Sequence, residues 1–278
     1  MRRFGFPAVL LAILLPASAA LAFASIPETR AGARTQVRGV PASAANPAVL
    51  AGKRYEFYFT RAVYSDGGRF GRFGRGRGSW STDWPKADIQ FLSVLRRLAS
   101  HLDSYENDNP VELTDPNLRR FPFVYAVEVG NMALSDAEVK SLREYLLAGG
   151  FLFVDDFWGG YQWQNFELNI RRVLPEYQIV DLPLDHPLFH TYYEIKEILQ
   201  VPVYTRGCSG GPYWEQADDT EPRIMGISDE KGRLLVVISY NSDMGDAWEW
   251  MELACYPLPL STYAYEFAVN AIIYSMSH

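Results

Sequence analysis

Two adjacent carboxylates, Asp155 and Asp156, close an uninterrupted apolar run (FLFV, 151–154) and are followed by Phe157, Trp158 and a pair of glycines. Such a pair supports two kinds of chemistry. One carboxylate can act as general base while the other ligates a hard cation, or both can accept hydrogen bonds from a polar organic ligand. The pattern recurs after a second apolar run (LLVVI, 234–238), where NSDMGDAWE at 241–249 supplies Asn241, Asp243, Asp246, Trp248 and Glu249. Aromatic rings beside carboxylates and amides suit a sugar or comparable polar molecule. Oxygen ligation by Asp155, Asp156 and Asp243 would instead select magnesium, calcium or manganese, with Asp155, Asp156 and His190 as the candidate catalytic groups of a hydrolase. Arg61 and Tyr64, after an aromatic stretch, join the ligand-binding candidates. So do Asp83 and Trp84, just before Pro85, although Asp83 is equally suited to capping the helix that opens there. His186 and His190 lie four apart, a zinc-ligand spacing on a regular helix, but Pro187 pushes His186 away from helical dihedrals.

To act together these residues must be carried to one edge of a fold. The run 151–154, bounded by Gly149 and Gly150 before it and the aspartates after it, predicts a strand covered on both faces in a parallel sheet. In such sheets ligands bind in the crevice at the carboxyl ends of the strands. Upstream, FVYAVEV (123–129) predicts another strand. Ser135 with Glu138 forms a capping box, and Leu134 with Val139 a hydrophobic staple, for a helix that Gly149 ends. Strand, capped helix, glycine pair and strand make a βαβ unit. The alternating aromatic stretch 55–60 predicts the first strand, and the helix opening near Pro85 has Ile89, Leu92, Leu95 and Leu98 as its core face. Further on come a helix over 161–173, a strand at 177–180, an irregular excursion over 201–220 and a hairpin of 223–227 with 233–239. An amphipathic helix over 262–275 turns Tyr265, Val269, Ile272 and Ile273 inward. The expected class is α/β, with three layers, a mostly parallel sheet, helices on both faces and a late β-hairpin.

The amino terminus has a basic start, a short apolar core and an A-x-A site ending at Ala24, the pattern of a secretory signal peptide. Residues 25–51, rich in Ala, Pro, Gly, Ser and Thr, cannot bury a core and read as a flexible linker, leaving 52–278 as a single domain. Export to a periplasm or the medium is therefore expected, with membrane contact only if the leader is retained. The formal net charge of −7 excludes general nucleic-acid binding, and loss of Arg2 and Arg3 makes it more negative. SDGGRFGRFGRGRG (65–78) is either a guanidinium clamp for anions or a solvated glycine loop. Cys208 and Cys255 either pair or stay as buried thiols. C-x-x-C, H-E-x-x-H and G-x-S-x-G are absent, which removes the familiar thiol-redox, zinc and serine-hydrolase signatures.

The order of strand, capped helix and GGFLFV entering a sharp turn resembles the class I glutamine amidotransferase-like (or flavodoxin-like) α/β domain. That resemblance implies a nucleophilic cysteine at the turn. Asp155, Asp156 and Phe157 stand there instead, so the activity does not carry over. More specifically, FTR (59–61), WSTDWP (80–85), GGFLFVDD (149–156), DHPLFH (185–190), NSDMGDAWE (241–249) and the final 270–278 resemble the bacterial domain-of-unknown-function family DUF4159. This resemblance covers essentially everything after the linker and implies the fold without a reaction. The expected function is a ligand-binding or assembly module of the cell envelope, working through a strand-end cleft on an envelope partner, a polar small molecule or a glycan. The alternative is a metal-dependent hydrolase that uses Asp155 and Asp156 with Asp243 or His190. No cofactor is required beyond a possible divalent cation.

Overall fold

The computed structural model describes residues 54–67 and 78–278. The expected leader and linker, and the Arg/Gly segment 68–77, lie outside the described residues. The strands are β1 (Thr60–Val63), β2 (Asn109–Glu112), β3 (Phe123–Val127), β4 (Phe151–Asp155), β5 (Ile179–Asp181), β6 (Arg223–Ser228) and β7 (Leu234–Tyr240). They form one sheet in the order β2-β1-β3-β4-β7-β6-β5. All pairings from β2 through β7 are parallel, while β6 runs against both β7 and β5. β4 is the middle strand, with Val154 beside Ala126 of β3 and Ile238 of β7. The α/β class and the hairpin of β6 with β7 agree with the sequence reading.

The helices are α1 (Lys86–Leu98), α2 (Asp136–Leu147), α3 (Gly159–Val173), α4 (Tyr204–Ser209), α5 (Met244–Glu249) and α6 (Leu258–Ser277). Alternate residues of each strand feed two cores. Phe123, Tyr125, Phe151 and Phe153 pack with α1, α5 and α6, whereas Val124, Ala126, Leu152 and Val154 pack with α2 and α3. Burial on both faces explains why the strands are continuous apolar runs rather than alternating ones. α2 starts on the predicted box: Glu138 N–H donates to Ser135 Oγ at 3.3 Å, and Ser135 N–H donates to Glu138 Oε2 at 2.7 Å. Beyond its end Gly149 takes φ +113°, and a Cβ on Gly150 would come within 2.3 Å of the Tyr145 ring. The chain can therefore drop directly from α2 into β4 only with glycine at both positions.

Several expectations need correction. β1 begins at Thr60, later than the aromatic stretch, because its ladders start at Thr60 against Asn109 and Val124; upstream, Phe57 makes a single bridge to Ser104. On α1 the buried stripe is Asp88, Phe91, Leu92 and Leu95, whereas Ile89 (45% exposed) and Leu98 (36%) fall on its flank. α6 is not amphipathic. It is packed against α1, α5, β3 and the Pro187–His190 turn, and buries residues all round, with Ile273 only half-buried. The excursion 201–220 contains the short α4. Cys208 and Cys255 form a disulfide, with Cα atoms 4.8 Å apart across a sequence separation of 47. Among the described residues no helix is long and apolar enough to cross a membrane.

Candidate functional site

Because β3, β4 and β7 run in one direction, their carboxyl ends share an edge. Each leads into a residue with left-handed backbone: Glu128 (φ +56°), Asp156 (φ +53°) and Asn241 (φ +55°). Asp83 (φ +61°) completes the set of positive-φ non-glycine residues among the described residues. Such conformations cost on the order of 1–3 kcal/mol each and persist where surrounding structure over-determines them. Here it does. Asp156 N–H donates to Ser242 O at 3.1 Å, Asn241 N–H to Phe157 O at 3.1 Å, and Gly159 N–H to Asn241 Oδ1 at 2.9 Å, which stitches the ends of β4 and β7 together.

Asp83 is positioned from beneath. Arg61, fully buried, donates from Nε to Asp88 Oδ2 at 3.0 Å and from Nη1 to the carbonyls of Trp80 (3.2 Å) and Thr82 (3.0 Å). That guanidinium fixes the segment leading into Asp83. Asp155, one residue before the turn, plays a matching part for α5. Its Oδ2 accepts from Tyr125 Oη at 3.0 Å and from the N–H groups of Met244 (2.8 Å) and Gly245 (3.2 Å). Burial pushes the Asp155 carboxyl up to about 6.

Above these supports lies a cleft of about 300 Å³. Asp83, Glu128 and Asp156 line it together with Glu215, and α5 contributes Asp243, Asp246 and Glu249; no lysine or arginine is among the lining residues. Asp83, Asp156 and Asp243 each offer an oxygen, and these oxygens lie within 4.8 Å of one another. Asp83, Asp246 and Glu249 do the same. Asp156 (6% exposed) and Asp243 (4%) each accept one side-chain hydrogen bond, from Trp158 Nε1 at 3.0 Å and Asp246 N–H at 2.8 Å. Asp83 Oδ2 is sealed from solvent and accepts none.

The electrostatics follow from that crowding. Burial first, and then neighbouring carboxylates, push Asp83, Asp156 and Asp243 well above the usual carboxylate range. Glu128 is pushed up to about 7 by burial and by Glu215. Carboxylates gathered in this way must hold protons or share a cation. The oxygen-only donor set fits magnesium, calcium or manganese, and the residues that would hold the ion are Asp83, Asp156 and Asp243.

The sequence candidates separate accordingly. Asp83, Asp156, Asp243 and Glu249 come together in the cleft, whereas Asp155, Arg61 and Asn241 support it from below. The Tyr64 hydroxyl lies 2.6 Å from Val127 O and pins the end of β3. Trp248 is fully buried against Phe91 at 4.8 Å between ring centroids, so it is core and not a stacking platform. Trp158 is 2% exposed and serves Asp156, and Trp84 Nε1 donates to Asp108 at 2.9 Å. His186 Nδ1 accepts from Leu188 N–H, while His190 sits between Glu194 and Leu184 O and belongs to neither carboxylate group. Sequence reasoning misses Glu128 and Glu215. FVYAVEV (123–129) reads as one strand with Glu128 inside it, whereas β3 stops at Val127 and Glu128 begins the turn, so its signal is hidden by the apolar residue that follows; Glu215, in the irregular excursion, has none.

Comparison with curated proteins finds no match. A family model described as Domain of unknown function (DUF4159) matches residues 69–276, which takes in Asp83, the turn after β4 and all of α5. With most of its length covered by that match, the chain belongs to the DUF4159 family.

Proposed function

We propose that this is an exported bacterial envelope protein whose strand-end cleft binds a divalent cation and, through it, a polar ligand such as a glycan or an envelope partner. One observation carries the reading: Asp83, Asp156 and Asp243 converge in a cleft lined by no basic side chain, and Asp83 Oδ2 is buried there without a hydrogen bond. A bound cation would relieve the carboxylate repulsion and supply a Lewis acid with positions open to ligand oxygens. The protein's own part is to hold Asp83 through Arg61, to hold α5 through Asp155, and to keep competing bases out of the cleft. Export rests on the leader pattern within 1–24; an uncleaved leader would add membrane contact.

We also read the domain as amidotransferase-like in fold and without that activity. The turn after β4 lacks a thiol, and its amides are taken: Trp158, Gly159 and Gly160 N–H donate to Gln162, Asn241 and Asp218 at 2.7, 2.9 and 2.9 Å. An acyl-transfer oxyanion would find those donors occupied.

Hydrolysis is the second reading, favoured by Glu128. In the ion-free cleft burial and Glu215 raise its carboxyl to about 7, and a bound cation would draw it down from there, which keeps it among the groups able to exchange a proton at the site. Thermal unfolding after chelation, with magnesium, calcium or manganese restored singly, tests the cation. One of them is expected to raise the midpoint in the wild type and not in Asp156→Asn, since binding to the native state must stabilise it. If no cation moves the midpoint, the proposal fails. Glu128→Gln separates the two readings: loss of turnover on glycoside or ester substrates with an intact cation shift establishes hydrolysis, and no turnover in the wild type leaves binding.

A further inference from the structure

We infer that the cleft is a two-cation centre in which Asp83 bridges the ions. This rests on the cation reading above and adds a second ion to it. The carboxylates divide into two groups, Asp83 with Asp156 and Asp243, and Asp83 with Asp246 and Glu249; within each, the offered oxygens lie inside 4.8 Å of one another. Asp83 alone belongs to both groups. A carboxylate has two oxygens, and giving one to each ion is how a single side chain holds two hard cations about 3.5–4 Å apart.

Asp83 is suited to that place. Its Oδ2 is sealed from solvent and accepts no hydrogen bond, and Arg61 fixes the residue before it by donating to Thr82 O at 3.0 Å. α5 supplies the other ligands as a ladder. Asp243 is its N-cap, and Asp246 and Glu249 follow at intervals of three, the spacing that puts side chains on one face of a helical turn. Asp246 is already oriented, with Oδ2 accepting from Tyr204 N–H at 2.6 Å and Oδ1 from Trp250 Nε1 at 3.0 Å, which leaves lone pairs on each oxygen for an ion.

Charge leads to the same conclusion. One divalent ion at Asp156 and Asp243 leaves the Asp246 and Glu249 carboxylates offset only by charges that do not touch them, Lys86 for both and Arg61 for Glu249. Lys86, whose charge reaches both, is drawn aside: its Nζ lies 3.6 Å from the centroid of the Trp250 ring and 3.8 Å from Glu252. A second hard cation would ligate these oxygens directly, which no basic side chain lining the cleft does.

Equilibrium dialysis of the chelated protein against Mn²⁺, read by metal content and by electron paramagnetic resonance, tests the inference. Two ions per chain with an exchange-coupled spectrum are expected. Glu249→Gln, a half-buried position, should bring the count to one and restore the spectrum of an isolated ion, while Asp83→Asn should weaken both ions about tenfold or more. A count of one in the wild type overturns the second ion and keeps the single-cation reading; a count of none overturns both. Two uncoupled ions overturn the bridge, and two ions surviving in Glu249→Gln overturn the assignment of the second site. Should Asp83→Asn fail to fold by circular dichroism, Glu249→Gln and the wild-type spectrum decide the matter.

Discussion

Asp83 depends on a residue that never reaches the cleft. Arg61 and Asp88 form a buried ion pair, both with fully buried side chains, and the guanidinium's remaining donors hold the backbone at residues 80 and 82. Removing one partner strands the other's charge, so Asp88→Ala should destabilise the domain by about 3–5 kcal/mol, measured as a lowered urea midpoint. The double variant Arg61→Met with Asp88→Leu should recover most of that stability and still bind cation poorly, because nothing then fixes the approach to Asp83. Equal cation affinity in the double variant would show that Arg61 serves packing alone. Asp156→Asn should behave in the opposite sense. In chelator it removes one of several mutually repelling groups, so its thermal midpoint should equal or exceed that of the wild type, while the cation-dependent gain disappears. A site residue whose loss stabilises the apo domain is bound by function and not by folding. Asp156 and Asp243 are legible in the sequence because each stands just past an apolar strand that ends abruptly, and Glu249 because it closes the polar and aromatic stretch after the second of them. Asp83 is only half legible, since a carboxylate before a helix reads equally as a cap. What distinguishes the two readings is its left-handed backbone and the grip of Arg61 on the carbonyls of Trp80 and Thr82, made across 19 and 21 residues of sequence.

The elements differ in how far they can be read, for the same reason. α2 is recoverable to the residue because the Ser135–Glu138 box and the Gly149–Gly150 drop are local devices. β1 is not, because its start is set by where β2 and β3 offer partners. α6 reads as amphipathic from spacing, yet it is enclosed by elements from distant parts of the sequence, so the period of its apolar residues carries little information. The Cys208–Cys255 bridge likewise depends on tertiary placement. It joins α4 to the segment after α5, and the same two pieces meet again where Tyr204 N–H donates to Asp246 and where the Tyr204 and Trp250 rings lie 4.4 Å apart. The bridge therefore ties together two walls of the cleft. Cys208→Ser should lower unfolding free energy by about 2–5 kcal/mol, the range for losing a native disulfide, as read from guanidinium denaturation. It should also weaken cation binding by loosening Asp246 against Tyr204. Unchanged affinity in a folded Cys208→Ser variant would confine the bridge to a stability role.

For the whole molecule, the carboxylate edge makes stability depend on pH in an unusual direction. Most acidic residues of a domain are stabilised as anions, so folding weakens as they protonate in acid. Glu128 does the reverse. Its folded carboxyl is raised from 4.5 to about 7 by burial and by Glu215 facing it, so the native state holds a proton that the unfolded chain has released. That contribution is fully present below about pH 4.5 and is lost as pH rises through about 7, and Asp83, Asp156 and Asp243, all raised, act in the same direction. The chelated protein should therefore lose thermal stability between about pH 5 and 8, where an ordinary acidic domain is near its maximum. Divalent cation competes with those same protons. Its stabilising effect should be small at pH 5 and grow toward pH 8, cancelling the decline. A pH series of unfolding midpoints, with and without manganese, checks both slopes, and Glu128→Gln should flatten the chelated curve by removing one of the groups that must ionise. If the chelated wild type instead gains stability across this window, the cleft carboxylates are already ionised and otherwise compensated, and the physical case for a cation among them falls. If the slope appears and manganese abolishes it, the acidic edge is a site held in waiting by protons, and folding and ligation draw on the same charges.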